Sequence, residues 1–199
     1  AVFDMPSPLA NRFLHLEVQP DFESFKAYAL DKGIHEQIIA FLSFRTTLLH
    51  KIDSQQPAWP SPRSWVMASD LHCAGLEINP AVGTAAATEF NSYISMYENL
   101  PNLIAILEGK GDSIQFPKEP SVRYATVIGL TVRADNANQA LNAFNWLNQV
   151  ATNEWVRLFA VDLSRTMESK GKRGILANLL SKEPEFKKLL QDYLESQKP

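Results

Sequence analysis

Apolar and polar positions alternate near the start of the chain: Phe13, Leu14, Leu16 and Val18 are apolar, and His15 and Glu17 are polar. A period of two over residues 12–18 predicts a short strand. Nothing else in the sequence reads convincingly as a strand. A lone strand cannot satisfy its own backbone N–H and C=O groups, so its expected sheet partners lie in another part of a larger protein. From Asp21 onward the period becomes helical. Asp21 is placed to cap a helix carrying Phe22, Phe25, Tyr28 and Ala29, and Gly33 to end it. Ile38, Ile39, Leu42 and Leu49, broadened by Phe41 and Phe44, form an apolar stripe that predicts a helix over 36–51. Ser61 and Pro62 supply an N-cap and a first helical position for a helix running toward Ala74, with Gly75 as its stop.

Asn79-Pro80 repeats the cap-then-proline signal and predicts one long helix through Ala85, Ala86, Phe90, Tyr93 and Ile94 to Tyr97. A short helix is expected over 102–108. Further helices are expected over 121–133, 136–150, 152–167, 174–181 and 184–196. The stretch 109–120, rich in glycine, proline and charge, is the best internal boundary. The expected fold class is all-α, a helical bundle with one short N-terminal orphan strand. Its expected divisions are 1–19, 20–110 and 118–199.

Composition narrows the function classes. The chain has 199 residues, 45% of them hydrophobic, and a net charge of −3, so no global charge draws it to nucleic acid or to an acidic membrane. Residues 165–199 carry 8 basic and 5 acidic side chains, a local excess that reads as a solvated helical face. Cys73 is the only cysteine. That excludes an intrachain disulfide and fits a reducing, cytoplasmic setting. No apolar run approaches the ~18 residues of a membrane span, and the first residues lack the pattern of a signal peptide. The sequence opens at Ala1 rather than at a methionine, as expected of a processed protein or a piece of a longer one.

The chemistry of interest centres on Trp59-Pro60-Ser61-Pro62-Arg63-Ser64-Trp65. It puts Arg63 in the first turn of a helix, where side chains lean back toward the free N–H groups, an arrangement suited to a phosphate. The ordinary alternative is a surface arginine set mildly against the helix dipole. No GxxxxGK[ST] phosphate loop occurs anywhere in the chain. The glycines of 108–112 and 170–174 follow no strand and read as connectors. His15, His35, His50 and His72 contain no i, i+4 pair and no HExxH, so no metal site is expected. Ser69, Asp70 and His72 lie within one helix turn without a nucleophile elbow. Cys73 is expected in a buried helix with nothing to stabilise a thiolate. Trp59, Trp65, Trp146 and Trp155 are expected to pack between helices.

Two stretches resemble a known family in the right order. Pro8-Leu9-Ala10-Asn11-Arg12-Phe13, leading into the strand-patterned residues, is similar to the end of the ATPase core in the MoxR-like branch of the AAA+ ATPases. Pro60-Ser61-Pro62-Arg63 resembles the segment that opens a lid helix in that branch. The resemblance implies that Arg12 is an arginine finger reaching the nucleotide of a neighbouring subunit. It also implies that Arg63 is the sensor-2 arginine reaching phosphates in its own subunit, both roles supplying charge stabilisation to phosphoryl transfer. Residues 1–19 would be the end of the AAA+ core, 20–110 the helical lid and 118–199 a C-terminal helical extension. The parent would use ATP and Mg²⁺ in a ring of subunits and remodel a client protein. Its partners would be its own core and the neighbouring subunits, not nucleic acid or membrane. The Walker A lysine, Walker B acid and sensor-1 segment are missing from this chain and would precede Ala1. Residues 1–199 alone are therefore expected to bind no cofactor and to be inactive. The alternative is a free-standing helical protein-interaction module without nucleotide binding. A helix-turn-helix nucleic-acid binder is disfavoured by the net acidity of the first 164 residues.

Overall fold

The computed structural model describes residues 5–196. The first four residues of the segment 1–19 and the last three of 118–199 lie outside them. The described chain is all-α. After a single turn α1 (Ser7–Ala10) come α2 (Phe22–Lys32), α3 (Glu36–Phe44), α4 (Pro62–Cys73), α5 (Asn79–Val82), α6 (Thr84–Ile94) and α7 (Leu103–Leu107). Then follow α8 (Pro120–Arg133), α9 (Ala137–Val150), α10 (Asn153–Ser169), α11 (Arg173–Lys182) and α12 (Pro184–Ser196). No helix among the described residues is long and apolar enough to cross a membrane.

Three expectations need correction. The strand expected over 12–18 is not formed: no strand occurs among the described residues, and residues 14–21 have no regular secondary structure. Its pattern is real but has no sheet to join, leaving Leu14, Leu16 and Val18 at 85%, 77% and 89% exposure. The helix expected over 36–51 stops at Phe44. Arg45 leaves helical geometry at φ −123°, ψ 59°, and a 3-10 turn (Thr46–Leu48) follows. The bend sends Leu48 and Leu49 into the core, and the Leu48 carbonyl accepts the Trp65 indole N–H at 2.7 Å. The long helix expected from Asn79 is broken at Gly83, whose φ of 80° is left-handed.

Two apolar cores result, and α8 belongs to both. The first gathers α2 to α6 around the rings of Phe41, Trp65, Phe90 and Tyr93. The second gathers α7 and α9 to α12 around Phe144, Phe159, Leu163 and Phe186. On α8, Ala125 and Ile128 face the first core, and Val127 and Leu130 face the second. Its buried threonines stay satisfied because Thr126 and Thr131 donate to the carbonyls of Val122 and Val127 at 2.7 and 2.9 Å. Gly129 lets α7 approach, since a Cβ there would lie 2.6 Å from the Leu103 Cδ1 atom. The connector 109–119 is irregular, as its composition predicts, but α8 ties the chain together on both sides of it.

A buried ion pair adds a second tie between the cores. Lys26 of α2 (2% exposed) sits 3.1 Å from the Asp162 carboxylate of α10 (0% exposed). Glu23 also reaches the ammonium at 3.2 Å. Burial holds the Asp162 carboxyl above the usual carboxylate range, and Lys26 opposes that rise. Breaking one half of such a pair strands the other charge. Lys26→Met is therefore expected to destabilise the fold by about 3 kcal/mol or more. The double change Lys26→Met with Asp162→Leu should restore most of that loss. Urea unfolding of the three proteins measures both values, and a Lys26→Met protein as stable as the parent would contradict the assignment.

Candidate functional site

The start of α4 is built by a reciprocal cap. Ser61 lies in extended geometry, and its hydroxyl accepts the Ser64 N–H at 3.1 Å. The Ser64 hydroxyl accepts the Ser61 N–H at 2.8 Å. This is a capping box with serine in the position usually held by glutamate or glutamine. Pro62 has no N–H to offer. The first turn therefore keeps one free backbone donor, the N–H of Arg63. The bare helix end expected from the sequence is mostly spoken for, and the anion-attracting capacity left there is the Arg63 guanidinium plus that one N–H.

The Arg63 side chain is exposed and has no ion-pair partner among the described residues. It borders a shallow groove of ≈ 600 Å³ walled by His50, Trp59, Pro62, Met67 and Pro80. No aspartate or glutamate lines this groove, so nothing beside Arg63 competes for an incoming anion. The loop that carries Trp59 is held at both ends. The Lys51 N–H donates to the Pro60 carbonyl at 3.0 Å, and the Ser64 hydroxyl reaches the Trp59 carbonyl at 3.0 Å. Its middle rests on the break between α5 and α6, where the Ala58 carbonyl oxygen lies 2.6 Å from the position a Cβ would take on Gly83. Only glycine fits this contact and this φ together. Gly83 thus admits the close approach of Ala58, which lines the Arg63 groove.

Arg12 lies elsewhere. It follows α1 in a turn, its N–H donating to the Leu9 carbonyl at 3.0 Å, with an exposed side chain. His15 closes the same turn through a ring nitrogen 2.8 Å from the Ala10 carbonyl. Among the described residues no hydrogen bond, ion pair or shared groove joins Arg12 to Arg63.

The remaining candidates take structural positions. The Ser69 hydroxyl accepts the His35 backbone N–H at 2.9 Å, and Asp70 points to solvent. Cys73 is exposed, not buried, because it falls on the outer face at the end of α4. Gly109, with φ 78°, ends α7, and Lys110 pairs with Glu108. Lys172 of the second glycine-containing turn is taken by Asp135. No group of three or more histidine, cysteine or acidic side chains converges among the described residues. Trp65, Trp146 and Trp155 are buried, and Trp59 is half-buried in the groove wall. Sequence reasoning missed one cluster. His35 and His72 meet edge to face with ring centroids 4.6 Å apart. No local pattern signals a pairing between residues so far apart in the chain.

Substituting Gly83→Ala is expected to cost about 2 kcal/mol or more, from the φ penalty and the backbone clash. Arg63→Ala, at an exposed position without partners, should stay within about 0.5 kcal/mol of the parent. Thermal unfolding distinguishes the two, and a neutral Gly83→Ala would show that the loop does not rest on this glycine.

In comparisons with known proteins, the chain matches no family model, no curated protein and no solved structure.

Proposed function

We propose that this chain is the lid and C-terminal helical extension of a MoxR-like AAA+ ATPase. In this reading it supplies an arginine finger (Arg12) and a sensor-2 arginine (Arg63) to a catalytic core formed by other residues. The observation that carries the reading is Arg63: a guanidinium unpaired among the described residues, at a capped helix start and on a groove without acidic residues. The strand-patterned segment behind Arg12 supports it, because Leu14, Leu16 and Val18 are apolar, exposed and in need of a sheet.

The residues present fit ATP and Mg²⁺ only in part. Arg63 can hold one phosphate oxygen through its guanidinium, and Arg12 has an exposed side chain with no ion-pair partner among the described residues. Neither arginine is a phosphate cradle, and residues 1–199 contain no GxxxxGK[ST]. The nucleotide would supply the phosphoryl group and the metal would offset its negative charge. This chain contributes positive charge placed by rigid helices. Arg63 rides on a helix fixed in the first core by the Trp65 side chain two residues on. A shift of α4 therefore moves the guanidinium with it, which is what sensing a bound phosphate requires. The client protein would meet the ring at a surface outside this site.

The test uses the full-length protein. Arg12→Ala is expected to lower ATP turnover by about 10³-fold, the scale of arginine-finger losses. Mixing Arg12→Ala subunits with subunits lacking the phosphate-loop lysine should restore part of the activity if Arg12 acts across subunits. Arg63→Ala should lower turnover at least about 10-fold, the loss of one charge-assisted contact of ~1.4 kcal/mol. Full turnover in both single variants would overturn the reading. So would a full-length sequence without a phosphate loop.

A further inference from the structure

We propose that His35 and His72 form a proton-operated latch that holds the start of α3 against α4 when both rings are neutral and releases it when the pair takes up a proton. This inference does not depend on the ATPase reading.

The geometry begins with an unusual cap. His35 is the N-cap of α3, and its Nδ1 accepts the Gln37 backbone N–H at 3.3 Å. An imidazole nitrogen can accept a hydrogen bond only while it carries no proton. Protonation at Nδ1 therefore removes the cap and sets a positive charge at the helix end that already carries the positive pole of the dipole. The same histidine anchors α4, since its backbone N–H donates to the Ser69 hydroxyl at 2.9 Å.

His72 completes the latch from the α4 side. Its Nε2–H donates to the Gln37 Oε1 atom at 2.6 Å, a bond that protonation of the ring leaves in place, so the acid-sensitive parts of the latch are the His35 cap and the contact between the two rings. The His72 ring packs edge to face on Phe90 of α6, with centroids 5.2 Å apart. Two imidazolium rings at the His35–His72 separation would repel, and neither has a carboxylate in ion-pair range among the described residues. Burial pushes the His72 pKa below its ordinary value, and the field of His35 pushes the same way.

The charged groups around the pair do not rescue the protonated state. Glu36, next in the chain on α3, is held by Arg133 of α8. Asp70 on α4 is exposed and makes no contact with either ring. From α2, Asp31 and Lys32 pair with each other at the surface. Just past α10, Lys170 borders the same hollow as His35 and reaches the Val132 carbonyl at 3.4 Å. From α6 the neighbour is the uncharged Phe90 ring.

The sign of the pH effect follows. A histidine whose folded pKa lies below its unfolded value leaves the folded state binding fewer protons. Its contribution to stability is present above about pH 6.5 and is lost as the pH falls through the folded pKa. Loss begins at the α3–α4 junction and loosens the C-terminal half of α4, the helix whose first turn carries Arg63.

The experiment is an NMR titration of the protein from pH 8 to 5, following the four histidine rings and the backbone amides. The Gln37 amide is expected to shift with the same midpoint as the His72 ring, below the ordinary histidine value. His15 and His50 serve as controls whose titration leaves Gln37 unmoved. Hydrogen exchange, corrected for intrinsic rate, should show residues 64–74 losing protection at least about 10-fold more than α9 between pH 7.5 and 5.5. His35→Asn keeps an N-cap acceptor that does not titrate, so the acid loss of α4 protection should be smaller than in the parent, the remainder coming from the buried His72 ring. A Gln37 amide that ignores the titration of both rings would overturn the latch. So would equal acid loosening of α4 in the parent and in His35→Asn.

Discussion

One helix buried on two sides holds this molecule together. α8 presents Ala125 and Ile128 to one core and Val127 and Leu130 to the other, so neither core closes without it. Such a helix needs an apolar surface nearly all the way round, and its two buried threonines are admissible because their hydroxyls bond back to the preceding turn. The Lys26–Asp162 pair spans the same divide on another side, joining α2 to α10. Hydrophobic burial supplies the larger part of the energy. The ion pair adds little net stability but fixes which faces meet, since any slip leaves a charge buried alone.

The site inherits its geometry from that frame. Trp65 is sealed in the first core with its indole N–H bonded to Leu48, which anchors the first turn of α4. Two residues earlier, Arg63 emerges at the surface beside a loop pinned by Gly83. A rigid base with a free charge at its tip is a reasonable form for a sensor. Among the described residues no hydrogen bond, ion pair or shared groove joins Arg63 to Arg12.

Local chemistry made much of the fold legible from the sequence. Asp21 and Gly33 bracket α2, Ser61 and Pro62 open α4, Asn102 caps α7 and Asn136 caps α9, each by a side chain or φ value that acts within a few residues. The failures have tertiary causes. The stop at Phe44 follows from the demand of Leu48 and Trp65 for the core. The break at Gly83 follows from the approach of Ala58. The strand expected over 12–18 does not form, because pairing depends on a second chain segment that a period of two cannot supply. In the site, the position of Arg63 was legible, while the extent of its cap was not, because Ser64 gave no sign that it would return a hydrogen bond to Ser61. The His35–His72 contact was invisible, because it joins two elements whose packing is decided by Ile38, Phe41 and Phe90.

The most direct measurement is a structure of the full-length protein with a non-hydrolysable ATP analogue and Mg²⁺. The account predicts residues 13–18 paired into a sheet, the Arg63 guanidinium within hydrogen-bonding distance of a phosphate oxygen in its own subunit, and Arg12 facing the neighbouring subunit's nucleotide. Residues 13–18 outside any sheet, with Arg63 turned to solvent beside a bound nucleotide, would contradict it.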